Sequence, residues 1–232
     1  MSTREAVLAK VRAGIGRVAS DPGRRAAIEG RLRSPARHTV PARTASKPPQ
    51  ELVALLRAFL ESQTATVIEV ASSELVPGAI ASYLRANNLP ARLRAGHDPL
   101  IVDLPWGTAP GLLLERGPAQ ASDSTGLTRA LAGVAETGTL ILVSGPENPV
   151  TLNFLPETHI VLLAAADIVG PYEDAWVRLR KRFGQALPRT VNMISGPSCT
   201  GDIGSSIIRG AHGPRRMCVV IFGEPLRDQS AS

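Results

Sequence analysis

Short apolar runs of strand length alternate with helical patterns along most of this chain, and few folds accommodate that alternation. We predict strands at residues 66–70, 92–94, 112–115, 139–143, 160–163, 191–194 and 217–222, and helices at residues 51–62, 72–87, 172–183 and 202–209. The pattern at residues 127–134 is ambiguous. Several strands are apolar on both faces, which is typical of a parallel sheet between helices. The sequence therefore predicts an α/β fold with a mostly parallel sheet covered by helices.

The beginning of the chain has a different pattern and predicts a helical arm. Ser2 and Glu5 have the spacing of a capping box, and helical periodicity continues until a turn signal at residues 21–23. Residues 24–49 are rich in Arg, Ala and Pro without a sustained period, which predicts a linker or an extended arm. The predicted domains are a basic N-terminal helix with its arm, residues 1–48, and an α/β domain, residues 49–232.

The positive charge of the chain is concentrated in this arm. The whole chain has 26 Lys or Arg against 20 Asp or Glu, a net charge of +6. Residues 1–48 hold 11 basic and 3 acidic residues, a net charge of +8, so the rest of the chain is close to neutral. Only 4 Phe, 2 Trp and 2 Tyr are present to stack on bases. This distribution disfavours nucleic acid as a partner and favours an arm that is solvated or packs on an acidic partner.

The cysteine count and the hydropathy exclude several classes of protein. Cys199 and Cys218 are too few for an iron-sulfur cluster or a cysteine-rich zinc site, so any electron transfer would need other chains. No apolar run approaches the length of a membrane-spanning helix, and the N-terminus lacks the apolar stretch of a signal peptide. We therefore expect a cytoplasmic protein without a membrane span.

The polar segment after the strand at residues 191–194 is the first candidate site. Gly196 permits a turn, Ser198 and Thr200 supply hydroxyl groups, and the predicted helix that starts near Asp202 would present unpaired N–H groups. Such a segment at the carboxyl edge of a sheet can hold an anion. In the alternative interpretation, Thr200 or Asp202 caps the helix and Gly and Pro shape a tight loop.

A second candidate lies directly before the strand at residues 139–143. Glu136, Thr137 and Thr139 surround a glycine there, and Glu136 can serve as a nucleophile, a base or a hydrogen-bonding group for a ligand. The alternative is a simple turn in which Glu136 is solvated and the two threonine hydroxyls form hydrogen bonds with the loop backbone.

The histidines and cysteines give weaker signals. His159 enters an apolar strand without a second histidine at ligand spacing, so we expect a hydrogen-bonded structural residue and no metal site. His212 and Arg215 lie in a turn before the last strand and either supply positive charge to an anion or end a helix. Cys199, at the predicted helix start, is either a reactive thiolate or an ordinary loop cysteine.

Four segments together resemble a known family. They are GVAETGT at residues 133–139, NFLPETHI at 153–160, SGPSCTGDI at 195–203 and GAHGPRR at 210–216. In sequence, order and spacing they are similar to the lactate utilization protein C family, which is built on the LUD domain. The resemblance implies a fold like that of CoA transferases and ribose-phosphate isomerase. It also implies a role in oxidising L-lactate to pyruvate with two partner subunits that carry iron-sulfur centres.

Four positions depart from the pattern of that family. Cys199 stands where members usually have a basic residue, Gly201 replaces an alanine, Gly204 replaces a glutamate, and Cys218 replaces a histidine. The first and third departures together remove a cation and an anion from the segment after residue 194.

These observations favour one function and leave an alternative from another class. The first hypothesis is an accessory subunit of L-lactate oxidation that binds an anionic small molecule or a partner subunit at the carboxyl edge of its sheet. The alternative is a free-standing CoA-transferase-like enzyme, acting on an acyl or sugar-phosphate substrate, with Glu136 as its active carboxylate. The sequence identifies no cofactor. The predicted ligand-binding residues are Thr137, Thr139, Ser195, Gly196, Ser198, Thr200, Asp202, His212 and Arg215.

Overall fold

The computed structural model describes residues 3–15, 21–34, 40–184, 186–201 and 207–225. Contacts between residues divide the chain into two compact units, Met1–Thr39 and Val40–Ser232. Residues 40–48, which we assigned to the arm, are part of the second unit. The domain boundary after residue 48 stays a prediction.

The first unit contains two helices, α1 (Thr3–Ile15) and α2 (Pro22–Arg33). Neither helix has a buried residue. Helix α2 is a correction, because we expected a linker or extended arm there. It begins with a capping side chain, since the Asp21 carboxylate accepts a hydrogen bond from Gly23 N at 2.9 Å, and it has a proline at its first position. A helix that buries no face needs no apolar period, which explains why periodicity missed it.

The second unit contains most of the secondary structure. Its helices are α3 (Pro49–Ser62), α4 (Val76–Ala86), α5 (Pro99–Asp103), α6 (Thr151–Phe154) and α7 (Tyr172–Phe183). Its strands are β1 (Thr66–Val70), β2 (Arg92–Ala95), β3 (Leu113–Arg116), β4 (Thr125–Arg129), β5 (Ala132–Val134), β6 (Thr139–Val143), β7 (Thr158–Ala164), β8 (Ile168–Val169), β9 (Val191–Ile194), β10 (Cys199–Gly201), β11 (Ile207–Arg209) and β12 (Arg216–Phe222). Within the described ranges, no helix has the length and apolarity needed to cross a bilayer.

Six of these strands form a sheet in the order β1-β12-β7-β4-β2-β3. All of its strand pairs are parallel. One face buries Val161 and Leu163 and the other buries Ile160 and Leu162, so the central strand β7 is apolar on both sides. The predicted α/β fold with a mostly parallel sheet is confirmed.

A second sheet of four strands has the order β8-β5-β6-β9. Strand β6 runs antiparallel to both of its neighbours, with Val134 of β5 opposite Thr139 and Ile194 of β9 opposite Leu140. The start of β6 therefore lies beside the ends of β5 and β9. This geometry brings together two of the segments that we singled out in the sequence.

The helix predicted at residues 202–209 is wrong over residues 207–209. Residues 207–209 form strand β11, which pairs antiparallel with β10 in a two-stranded hairpin. The two successive isoleucines, Ile207 and Ile208, are β-branched and favour a strand over a helix. Residues 202–206, including Asp202, lie outside the described residues.

Candidate functional site

The candidate site is built at the edge of the four-stranded sheet where β6 begins. Thr139 is the first residue of β6, Ser195 directly follows β9, and Thr137 lies in the turn between β5 and β6. Helix α7 adds Tyr172, its first residue, directly after the short loop that follows β8. Four hydroxyl groups from three segments of the chain therefore meet at one place.

These four side chains form a hydrogen-bonded group that we call the hydroxyl cluster, consisting of Thr137, Thr139, Tyr172 and Ser195. The Thr139 hydroxyl is central, with its oxygen 2.7 Å from each of the other three hydroxyl oxygens. The Thr137 hydroxyl also donates to Tyr172 OH at 3.0 Å. Thr139 is fully buried, whereas Ser195 is exposed. The cluster thus runs from the interior to the surface.

The proton inventory of the cluster shows what it can offer a ligand. Each hydroxyl has one proton to donate and two lone pairs. One arrangement runs from Thr137 to Tyr172, then to Thr139, and then to Ser195, and it leaves the 2.7 Å contact between the Thr137 and Thr139 hydroxyl oxygens without a proton. In that arrangement the Ser195 proton is the one left for a group outside the cluster. A hydroxyl that already accepts a hydrogen bond is a stronger donor to an anion.

Glu136 is the neighbour of Thr137 in the chain, and its carboxylate pairs with Arg43. The Glu136 side chain is only 13% exposed, and its Oε1 lies 3.6 Å from Arg43 Nη2. Arg43 also lies over the Phe59 ring, with its guanidinium carbon 5.9 Å from the ring centroid. The backbone N–H of Glu136 donates to Gly170 O at 3.1 Å, which fixes the turn against the loop before α7. The site therefore carries a paired anion and cation.

Of the remaining predicted residues, Ser198, Thr200, His212 and Arg215 form a second group at or beside the β10–β11 hairpin. Thr200 pairs with Ile208 in the hairpin, so no helix N-terminus follows it within the described residues. Ser198 N donates to Pro214 O at 2.8 Å, and Ser198 O accepts from Gly210 N at 2.9 Å. These bonds tie Ser198 to the turn that contains His212 and Arg215.

The position of that turn corrects one expectation. His212 and Arg215 are both exposed and come directly before β12. They therefore lie at the amino end of a strand of the six-stranded sheet, whereas we predicted the carboxyl edge. The reason is that the turn leads from β11 of the hairpin into β12, and does not follow a strand of the six-stranded sheet. Gly196 lies between the two groups, where an added Cβ would lie 2.7 Å from Gln63 Cβ.

The comparison with protein families agrees with the motifs. A family model described as LUD domain matches residues 47–222, more than half of the chain. The chain belongs to the LUD domain family. All four segments that carry the sequence resemblance lie inside the matched part of this LUD domain, so the resemblance is confirmed.

Several curated relatives of this LUD domain are named Lactate utilization protein C. The relative from Geobacillus sp. is 32% identical over 100 residues, 42% of each chain. The relative from Halalkalibacterium halodurans is 31% identical over 118 residues, 50% of each chain. An uncharacterized protein of Neisseria meningitidis serogroup B is 39% identical over 95 residues, 41% of this chain and 40% of that one. The chain thus spans half or less of the length of these relatives.

A solved structure shares the fold of this LUD domain. It is the crystal structure of a DUF162 family protein from Deinococcus radiodurans, with a TM-score of 0.57 and 23% sequence identity. The match covers 76% of this chain and 99% of that chain. At this identity the likeness supports the fold.

Two residues of the candidate site were not identified from the sequence. Tyr172 was interpreted as part of an amphipathic helix, and Arg43 as part of a solvated arm. Their contacts join residues that are far apart in the chain. Tyr172 and Thr137, for example, are separated by 35 positions. The one available signal was that Tyr172 opens a helix directly after a strand, a place where polar residues gather at a sheet edge.

The structural role expected for His159 in the LUD domain is confirmed. His159 is fully buried, and its Nε2 lies 2.7 Å from the Thr128 hydroxyl. Burial lowers the pKa of His159 to about 3, so the ring is neutral at physiological pH. The two cysteines differ in burial. Cys199 is exposed, whereas Cys218 is buried, and burial raises the pKa of the Cys218 thiol to about 12.

Proposed function

We propose that this LUD-domain protein acts in the utilization of L-lactate, as an accessory subunit that binds a small organic anion at the hydroxyl cluster. The family and the relatives named Lactate utilization protein C support the pathway. The observation that carries the binding site is the meeting of Thr137, Thr139, Tyr172 and Ser195 beside Arg43. The predicted roles of Gly196, Ser198, Thr200, Asp202, His212 and Arg215 remain part of this proposal without carrying it.

The chemistry of the site suits a carboxylate more than a neutral molecule. Ser195 presents a hydroxyl at the surface, and Arg43 is a permanent cation with more than half of its side chain exposed. A bound carboxylate would accept from Ser195 and share Arg43 with Glu136. Glu136 would then orient Arg43, and it would repel a second negative charge, which favours ligands with one carboxylate.

The iron-sulfur chemistry in this proposal belongs to partner subunits. The chain has two cysteines, and the Cys218 side chain is fully buried, so the two cannot supply the usual four thiolates of a cluster. The cytoplasmic location expected from the sequence and docking of the basic residues 1–48 on an acidic partner are parts of the same proposal.

Growth on L-lactate tests the pathway and the site together. A strain lacking the gene should fail to grow on L-lactate and grow normally on pyruvate, and the intact gene should restore growth. Thr139→Val should not restore it, because the cluster loses its central hydroxyl. Thr66→Val is the matched control, since Thr66 is exposed on the edge strand β1, and it should restore growth. Unchanged growth of the deletion strain on L-lactate would refute the proposed pathway.

Activity assays on the purified protein distinguish the accessory role from the CoA-transferase-like alternative. That alternative requires turnover of an acyl-CoA or a sugar phosphate that disappears in Glu136→Gln. The ion pair between Glu136 and Arg43 fits a positioning role for the carboxylate instead. The accessory role predicts no turnover by the isolated chain with either substrate class, and turnover that depends on Glu136 would replace it with the alternative.

A further inference from the structure

A large cleft lies at the carboxyl edge of the six-stranded sheet, at a place that the proposed function does not use. Its volume is about 1020 Å³. Arg129, at the end of β4, and Asp167, soon after β7, line it together with Asp98. Open α/β sheets bind ligands outside the carboxyl ends of their strands, and a cleft of this size holds a ligand as large as a nucleotide.

Four cationic side chains line this cleft. Arg129 lies between two carboxylates, 3.9 Å from Asp98 and 3.6 Å from Asp167. Arg178 is fixed by Asp167 at 2.6 Å and by a hydrogen bond to Ala166 O at 2.7 Å. These two arginines are therefore held in place before any ligand arrives.

The other two cations are exposed at the mouth of the cleft. Lys181 and Arg182 follow Arg178 by about one turn of α7 and lie on the face that lines the cleft. Arg182 lies 3.4 Å from Glu147, and both of these side chains are about half exposed. Such an exposed pair is weak, so a phosphate group can displace Glu147 from Arg182. Lys181 then adds a second charge-assisted contact.

The opposite wall of the cleft is fixed and partly apolar. Asn148 Nδ2 donates to Val143 O at 3.1 Å, and Ser144 Oγ accepts from Thr190 N at 2.9 Å, so the loop after β6 is held from both sides. Phe183, the last residue of α7, contributes an aromatic ring to the lining from the side of the cations, and the Arg182 guanidinium lies 5.6 Å from its centroid. A cleft with one rigid wall and an aromatic ring suits a planar, weakly polar group.

We propose that this cleft binds a nucleoside phosphate, with its phosphates on Lys181 and Arg182 and its base against Phe183 and the apolar part of the lining. The size of the cleft, the cations at its mouth and the aromatic ring are the three features that such a ligand requires. The site is separate from the hydroxyl cluster, because Tyr172 lies at the opposite end of α7 from Phe183.

Titration of the full chain with a fluorescent N-methylanthraniloyl derivative of ADP tests this proposal. We expect saturable binding, and the double variant Lys181→Gln, Arg182→Gln should raise the Kd at least about tenfold through the loss of two charge-assisted contacts. Arg180→Gln is the matched control. It removes an exposed charge from the same helix outside the cleft lining, and its Kd should stay within about twofold. Circular dichroism establishes that each variant is folded.

Competition experiments distinguish the contribution of the phosphates to binding from that of the nucleoside. Unlabelled ADP should displace the probe better than either pyrophosphate or adenosine alone. The absence of saturable binding, or equal affinity in the double variant, would overturn the proposal. Displacement by pyrophosphate as strong as by ADP would also overturn it, because the apolar wall would then contribute nothing. None of these results bears on growth on L-lactate, so this proposal and the proposed function fail independently.

Discussion

Gly138→Ala should destabilise the second unit by roughly 3 kcal/mol, because the new methyl group has neither an allowed backbone conformation nor space. Gly138 has a φ of 67°, in the left-handed region that an L side chain rarely adopts. An added Cβ would lie 2.5 Å from Phe59 Cβ and 3.3 Å from Leu60 N. Helix α3 would have to move away from the turn that carries Glu136 and Thr137. Urea denaturation followed by circular dichroism measures the change.

Gly78→Ala is the control with the opposite expected sign. Gly78 lies inside helix α4, and a Cβ there would meet nothing within 4 Å. Alanine should therefore stabilise the protein by roughly 0.5–1 kcal/mol through its higher helix propensity. If both variants changed the free energy of unfolding by the same amount, that result would contradict the close packing of the β5–β6 turn on α3.

Acid should destabilise the protein well above the pH at which most carboxylates titrate, because His159 is buried in its neutral form. Burial lowers the pKa of His159 from an ordinary 6.5 to about 3. Below pH 6.5 His159 is protonated in the unfolded chain but stays neutral in the folded chain. The contribution of His159 to the free energy of unfolding is therefore fully present above pH 6.5 and decreases as the pH falls towards 3. The loss at pH 5 is about 2 kcal/mol from this residue.

His159→Gln tests this assignment through the slope of stability against pH. The variant should show little loss between pH 6.5 and 5, whatever its stability at pH 7. Asp123 does not obscure this window. Burial raises its pKa but hydrogen bonds from Arg94 and Gln120 lower it on balance from 3.8, so its effect begins at lower pH. NMR titration of the wild-type imidazole provides a second measurement, and protonation of His159 near pH 6.5 in the folded protein would contradict the account.

Strands buried on both faces were the most predictable part of the fold. The bounds predicted at residues 139–143 match β6, and the run predicted at residues 160–163 lies inside β7, because continuous apolar runs leave few alternatives to a buried strand. Helix α2 was missed because it buries nothing, so its sequence has no apolar stripe. The helix predicted at residues 202–209 was wrong at residues 207–209, because helical spacing and β-branched residues compete over a short segment, and pairing with β10 decides the outcome there.

The candidate site was predictable only in part, for a related physical reason. Thr137, Thr139 and Ser195 stand next to strand ends, where polar side chains are informative. Arg43 and Tyr172 join them through contacts that depend on how α3 and α7 pack, and no local pattern encodes that packing. His212 and Arg215 look equivalent to the others in sequence, yet they lie at an amino end, because strand direction is fixed by pairing with distant strands.

Calorimetric titration of the full chain with L-lactate and with pyruvate is the most direct test of the hydroxyl cluster as an anion site. We predict saturable binding of at least one of these carboxylates, an affinity at least about tenfold weaker in Thr139→Val, and an affinity within about twofold of wild type in Thr66→Val. Binding of neither carboxylate to the wild type, or equal binding to Thr139→Val, would contradict it.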